Sequence, residues 1–362
     1  MITRLLILSL LCQISIGSNE PRELERICRQ KVKSVQISSS EVKNREGREI
    51  DSGNTEEKGK SGPEDLPEES ICYSVVDRPG MRKRHRFTRA LTLTRYGSPP
   101  LNVSVVYLRR PKTWNGQPIH GDDTRFWRVD HAHDPYLQAV RATFLSSFLT
   151  KSLPVFSKYE EKKILFFGIG GASSNMYMRY QRPKVNITVV EEDEDVILLS
   201  KRWFGLIEDS RFTLLHEKTE KFLVKAAQEG SLYDVIVFDW LHAAGIPLAA
   251  RIFADDLPKL TSRVISPTGV FIVHLADSPF IQEQTSTVLA ALLMEFPYCI
   301  SLRLVNNHRV LSCFKRRFSV QETQPFVNRF RFIADSFKFK TNKHFATMTL
   351  HMRKNDGATI DI

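Results

Sequence analysis

Ile164-Leu165-Phe166-Phe167-Gly168-Ile169-Gly170-Gly171-Ala172-Ser173, followed further on by Ile187-Thr188-Val189-Val190-Glu191, decides how this chain is read. The apolar run reads as a buried strand and the glycines as a turn whose backbone amides approach a ligand. Glu191 then ends the next strand, where a carboxylate is placed to bind ribose hydroxyls. That combination predicts a nucleoside-cofactor site. A glycine turn after an apolar strand also arises wherever a helix packs tightly on a sheet, so the reading depends on what surrounds it.

The alternation continues downstream. A helical stretch with Val196, Ile197, Leu199, Trp203 and Phe204 on one side is stopped by Gly205, and Phe212-Thr213-Leu214-Leu215-His216 reads as a third strand. A helix from Glu220 to Gln228 closes at Gly230. Tyr233-Asp234-Val235-Ile236-Val237-Phe238-Asp239 is a fourth strand, apolar enough to be covered on both faces and ending in another carboxylate. Helical segments 253–264 and 281–296 flank a fifth strand, Gly269 to Leu275, reached through the turn Pro267-Thr268-Gly269. Strands alternating with helices predict a mainly parallel α/β sheet whose ligands sit at the carboxyl ends of the strands, and Gly168, Glu191 and Asp239 all fall there.

The end of this pattern separates two cofactor classes. Cys299 to Val305 and Arg309 to Phe314, joined by Asn306-Asn307-His308, form a hairpin, so the sheet finishes antiparallel. A dinucleotide fold more often continues with another crossover. Position 173 is Ser where the strict dinucleotide fingerprint has Gly or Ala, which further disfavours a nicotinamide oxidoreductase.

The stretch from about Asp130 to Phe314 resembles the polyamine-biosynthesis domain of spermidine synthases. It is more similar still to the C-terminal domain of the methyltransferase-like family that includes elongation-factor-1-alpha lysine and N-terminal methyltransferase. The resemblance rests on Gly168 to Ser173, on Val190-Glu191-Glu192-Asp193, on Trp203-Phe204-Gly205, on Tyr233 to Asp239, and on Pro267-Thr268-Gly269-Val270-Phe271-Ile272. It implies a seven-stranded, Rossmann-like S-adenosylmethionine-dependent methyltransferase fold with an antiparallel terminal hairpin, preceded by a small β domain. The implied cofactor is S-adenosylmethionine or its decarboxylated form. By position, Gly168, Gly170, Gly171 and Ser173 would line the cofactor turn, Glu191 would hold the ribose, and Gln138 falls near a family glutamine close to the cofactor. Asp239 matches the carboxylate that takes a proton from the attacking amine. Such a carboxylate both attracts an ammonium and accepts its proton.

The departures matter equally. Where these families carry an Asp-Gly pair at the adenine amino group, this chain reads Glu217-Lys218-Thr219. A lysine brings donors where an acceptor is needed, leaving Glu217 as the substitute. After Asp239 comes Trp240-Leu241-His242-Ala243-Ala244-Gly245, without the second acid that would anchor a polyamine, so aminopropyl transfer is disfavoured. Methyl transfer asks chiefly that a nucleophile be held in line.

The beginning of the chain points to a compartment. Arg4 precedes the apolar run Leu5 to Leu11, and small residues Ser15 and Gly17 suit a signal peptidase, which predicts a signal peptide over 1–17 and a secreted or lumenal protein. No uncharged run reaches the ~18 residues of a membrane span. Beyond Cys12, the cysteines Cys28, Cys72, Cys299 and Cys313 allow disulfides in an oxidising compartment. A three-residue loop would set Cys299 opposite Cys313 and leave Cys28 for Cys72, with free buried thiols as the alternative. No Cys or His spacing suggests a metal site.

The 362 residues, 42% hydrophobic, suffice for a sizeable α/β domain and a smaller one. The expected order is an N-terminal segment and disordered linker over 18–70, a small β domain over 71–130, the transferase-like domain over 131–320, and a C-terminal helix and basic tail over 321–362. Ser38 to Ser70 carries almost no aliphatic content. Asp134-Pro135 should open an amphipathic helix running through Phe148. Sequons stand at Asn102 and Asn186, the first the more accessible. A net charge of +11, with clusters at Arg82 to Arg86 and Lys315 to Arg317, would suit an acidic glycan or acidic protein surface, or simply a solvated face. Nucleic acid is disfavoured as a partner and a homodimer is left open. The reading is thus a secreted methyltransferase-type transferase of unknown acceptor, and the competing class is an inactive relative acting as a binding or scaffold protein.

Overall fold

A computed structural model describes residues 21–30, 70–82, 85–95, 99–111, 113–114, 117–118, 123–158, 160–239, 256–275, 281–304, 308–316, 324–339, 345–353 and 359–361. The signal-peptide segment, the linker after position 30, Trp240 to Gly245 with His242, and the Asn306-Asn307 loop lie outside these residues.

The N-terminal half builds an antiparallel sheet of β1 (Arg22–Gln30), β2 (Ser70–Arg82), β3 (His85–Arg95), β4 (Leu101–Arg109) and β7 (Arg128–Val129), in the order β1-β2-β3-β4-β7. A short ladder of β5 (Thr113–Trp114) and β6 (Gln117–Pro118) stands beside it. A Cys28–Cys72 disulfide joins directly opposed residues of β1 and β2.

The C-terminal half is one sheet built from β8 (Lys163–Phe167), β9 (Asn186–Glu191), β10 (Phe212–His216), β11 (Tyr233–Phe238), β12 (Ile265–Leu275), β13 (Tyr298–Leu304), β14 (Arg309–Phe314), β15 (Phe345–Arg353) and β16 (Thr359–Asp361). Its order is β10-β9-β8-β11-β12-β14-β13-β15-β16. The first five strands of that order pair in parallel and the rest antiparallel. Residues 163–167, 186–191 and 233–238 alternate with helices α2 (Ser173–Gln181), α3 (Glu194–Trp203) and α4 (Thr219–Gln228), as the hydrophobic pattern predicts. Cys299 faces Cys313 across the hairpin and the two form a disulfide.

Three details differ from expectation. Beyond the seven expected strands, β8 to β14, the tail after α7 (Gln324–Ser336) adds two more, β15 against β13 and β16 against β15. The turn Pro267-Thr268-Gly269 sits inside β12: pairing with β11 jumps from Tyr233↔Ile265 to Val235↔Val270, so the turn is an excursion within one strand. Helix α1 (Gln138–Leu149) starts at Gln138 without a side-chain cap and is buried from Val140 through Leu149 except at Arg141. It is not amphipathic, since β12, β14 and α7 cover it as well as α2. Two further helices, α5 (Leu257–Val264) and α6 (Ile281–Glu295), complete the second face.

The two sheets are tied by a buried arginine. Arg89 on β3 makes a two-point ion pair with Asp77 on β2 at 2.8 Å for each contact, the side chains being 3% and 0% exposed. The same guanidinium donates to the carbonyls of Thr124 and of Trp203, the last residue of α3, and lies over the Trp203 ring. Removing one partner of such a pair strands a desolvated charge. Asp77→Ala should therefore lower unfolding free energy by ~3–5 kcal/mol in urea titrations; a loss below ~1 kcal/mol, as for an exposed pair, would contradict this assignment.

Candidate functional site

The glycine turn leaves β8 with Gly168 at φ +93° and Gly170 at φ +50°, and Ala172 at φ +54° precedes α2. Left-handed backbone at the first two positions explains glycine there. At Gly171 the reason is space. A Cβ on Gly171 would stand 2.8 Å from the Phe204 ring and 2.8 Å from Ser104 Cβ, while one on Gly170 would face Val103 at 3.5 Å. These two glycines thus admit β4 and the end of α3 to the turn.

Glu191, at the carboxyl end of β9, reaches into this turn. Its Oε2 accepts the amide of Ile169 at 2.9 Å, and its Oε1 accepts those of Glu192 at 2.8 Å and Asp193 at 2.9 Å. Burial pushes the Glu191 carboxyl up from its ordinary value, opposed chiefly by the Ile169 amide and then by that of Asp193. An ionised carboxylate offers roughly four acceptor positions. Three are occupied by these amides, leaving one acceptor position on Oε2, of the kind a ribose hydroxyl would fill.

The neighbouring residues are organised around this group. The Glu217 amide donates to the Glu191 carbonyl at 3.2 Å, and the Glu217 carboxylate pairs with Lys221 at 3.2 Å. Lys218 is exposed at the N-cap of α4, while the Thr219 amide is capped by the Glu192 carboxylate at 3.0 Å. His216 bonds the Glu192 carbonyl at 3.2 Å. Ser173, the first residue of α2, accepts from Ser104 Oγ at 2.9 Å. Gln138 is half-buried at the start of α1. Asp239 follows β11, its amide bonded to the Phe167 carbonyl at 3.2 Å, immediately before the glycine turn.

Sequence reasoning missed two features. Asp239 Oδ1 lies 2.7 Å from His274 Nδ1, and His274 Nε2 lies 2.9 Å from His308 Nδ1. His308 reads in sequence as a turn residue, and nothing local marks it. A cleft also opens between β4 and the start of α1, lined among others by Tyr107, Asp130, His133, Asp134, Tyr136 and Ser173. Its signal is the polar and aromatic run Asp130 to Tyr136, in which Asp134-Pro135 reads as a helix start and Asp130 as the start of the family-like stretch. His131 bonds the Gly205 carbonyl at 3.2 Å, and burial lowers its pKa.

With this geometry established, likeness to known proteins locates the motif-bearing part. Residues 146–302 match the spermine/spermidine synthase domain. A polyamine aminopropyltransferase of Pyrobaculum islandicum is 25% identical over 142 residues, 38% of this chain and 48% of the relative. An eEF1A lysine and N-terminal methyltransferase homolog of Drosophila pseudoobscura pseudoobscura is 22% identical over 190 residues, 51% of this chain and 25% of the relative. The chain therefore spans less than half the length of either relative. Among solved structures, human methyltransferase-like protein 13 in complex with SAH aligns with 20% identity and TM-score 0.47, covering 55% of this chain and 93% of that one. A probable spermidine synthase from Corynebacterium glutamicum aligns with 14% identity and TM-score 0.48, covering 75% and 87%.

Two outcomes test the spermine/spermidine synthase-like turn. Because burial raises the folded-state value of Glu191, its contribution to stability is complete below the ordinary carboxylate range and is lost as pH rises through the raised value. The stability of wild type relative to Glu191→Gln should accordingly fall as pH increases out of that range; a difference that is flat or grows would contradict the burial. Gly171→Ala should cost ~1–3 kcal/mol in thermal or urea unfolding through overpacking on Phe204, and a neutral effect would show that the turn has room to spare.

Proposed function

We propose that this chain is an S-adenosylmethionine-dependent transferase of methyl-transfer type, with spermidine-synthase-like architecture, acting in the secretory-pathway lumen or outside the cell. The observation that carries the reading is Glu191 Oε2, held against the Ile169 amide inside the glycine turn with acceptor capacity left for a ribose hydroxyl. Glu217, at the turn after β10, is the acidic group available to an adenine amino group. The cofactor, S-adenosylmethionine or its decarboxylated form, would supply an alkyl group already activated on sulfonium. The chain's own part is then to orient an acceptor and take its proton.

Asp239 suits that second task. It stands one strand from the glycine turn, with its side chain 21% exposed and Oδ2 making no hydrogen bond among the described residues. A partly exposed carboxylate at a strand end can receive the proton that an amine or similar nucleophile must lose. The lumenal setting is supported by the signal-peptide-like start and by the two disulfides. An acidic glycan or protein acceptor would suit the net positive charge.

Titration calorimetry of the full chain with S-adenosylmethionine, its decarboxylated form and S-adenosylhomocysteine tests the proposal. Saturable binding that Glu191→Ala abolishes, with the variant still folded, is the expected result. No binding of any of the three by folded wild type would overturn it and favour the inactive scaffold.

A further inference from the structure

Asp239 is the end of a three-member chain. Its Oδ1 meets His274 Nδ1 at 2.7 Å, and His274 Nε2 meets His308 Nδ1 at 2.9 Å. The imidazole planes are inclined by only 18° and the centroids lie 5.1 Å apart, the arrangement of two rings joined edge to edge by that bond. The three residues come from the end of β11, from β12 and from the start of β14, which are successive in the sheet. The His274 side chain is 5% exposed, whereas Asp239 is 21% exposed and His308 is half-buried, so the buried ring sits in the middle of the chain.

The direction of these bonds follows from donor and acceptor chemistry. A carboxylate only accepts, so His274 Nδ1 must carry the proton it shares with Asp239. In the neutral ring Nε2 is then a bare acceptor, and His308 must donate to it from Nδ1. Each ring thereby fixes the tautomer of the next. His308 is itself anchored, its carbonyl accepting the Leu304 amide at 2.9 Å across the hairpin. A buried imidazole needs a partner for each of its nitrogens, and His274 finds both. The line of bonds ends on a carboxylate beside the glycine turn.

We propose that His274 and His308 are positioning residues for Asp239. They hold Oδ1 through a donated N–H bond and leave Oδ2 as the oxygen that accepts the acceptor's proton. This inference rests on the transferase reading for the identity of that proton. The hold on Asp239 itself is a property of the chain alone. The groups facing Asp239 among the described residues are His274, from β12, and the backbone of Phe167, from β8; His308 acts through His274.

The test is long-range proton–nitrogen NMR of the full chain labelled with nitrogen-15 in histidine. Expected in wild type are a proton on His274 Nδ1 shifted well downfield, a bare His274 Nε2, and a proton on His308 Nδ1. Asp239→Asn should move the His274 Nδ1 proton upfield, because the acceptor loses its charge, and should shift the His308 nitrogens although the substitution does not touch them. His308→Phe keeps an aromatic ring but removes the donor, and should move His274 Nε2 toward a free acceptor while its Nδ1 proton stays. A His274 proton found on Nε2, or His308 nitrogens indifferent to Asp239→Asn, would overturn the proposal; either variant suffices if the other does not fold. Calorimetry with S-adenosylmethionine on the same samples separates the two failures. A wild type with the expected histidine spectrum that binds no cofactor defeats the transferase reading. A wild type that binds cofactor with the wrong tautomer defeats the positioning role alone.

Discussion

The insertion of the Glu191 carboxylate between β9 and the glycine turn is the constraint on which the site depends. Three backbone amides, of Ile169, Glu192 and Asp193, converge on two oxygens. Burying a carboxylate is unfavourable unless its lone pairs are engaged, and these amides offset the cost only in part, so the acid retains a raised proton affinity. One group thus fixes the turn after β8, the start of α3 and, through its own carbonyl, the turn after β10. The three loops that meet at the carboxyl edge of the sheet are set relative to one another by this residue.

The second constraint comes from the small sheet. Val103 and Ser104 of β4 press on Gly170 and Gly171, Ser104 bonds Ser173, and the Arg89–Asp77 pair reaches across to the end of α3. Trp203 Nε1 and Arg202 also meet Glu25 on β1. The Trp203-Phe204-Gly205 sequence therefore has a physical reading. Trp203 lies beneath the arginine, Phe204 fills the space that Gly171 leaves, and Gly205, at φ +62°, passes His131. The glycine turn is shaped from one side by an acid and from the other by packing, which accounts for glycine at successive positions for different reasons.

Most of the larger sheet was legible in the sequence, because β8, β9 and β11 are mainly apolar runs ended by glycine or carboxylate, and a three-residue hairpin loop sets Cys299 opposite Cys313. The margins were not. Strand β1 carries Arg22, Glu23, Glu25 and Arg26 and shows no alternation of a buried face, and β15 follows a helix where the charge pattern suggested only a tail. Both are held by pairing to a neighbouring strand, a non-local cause that composition does not reveal. At the site, the place of Glu191 followed from the turn-to-strand spacing. The His274–His308 contact joins residues 34 apart on different strands and required the sheet order to be seen.

In the proposed function, Glu191 holds a ribose hydroxyl while bound to the Ile169 amide. A crystal structure of the full chain grown with S-adenosylhomocysteine tests it most directly. The nucleoside is expected over the glycine turn with a ribose hydroxyl within hydrogen-bond distance of a Glu191 carboxylate oxygen. A nucleoside seated elsewhere, or one whose ribose does not touch Glu191, would contradict it.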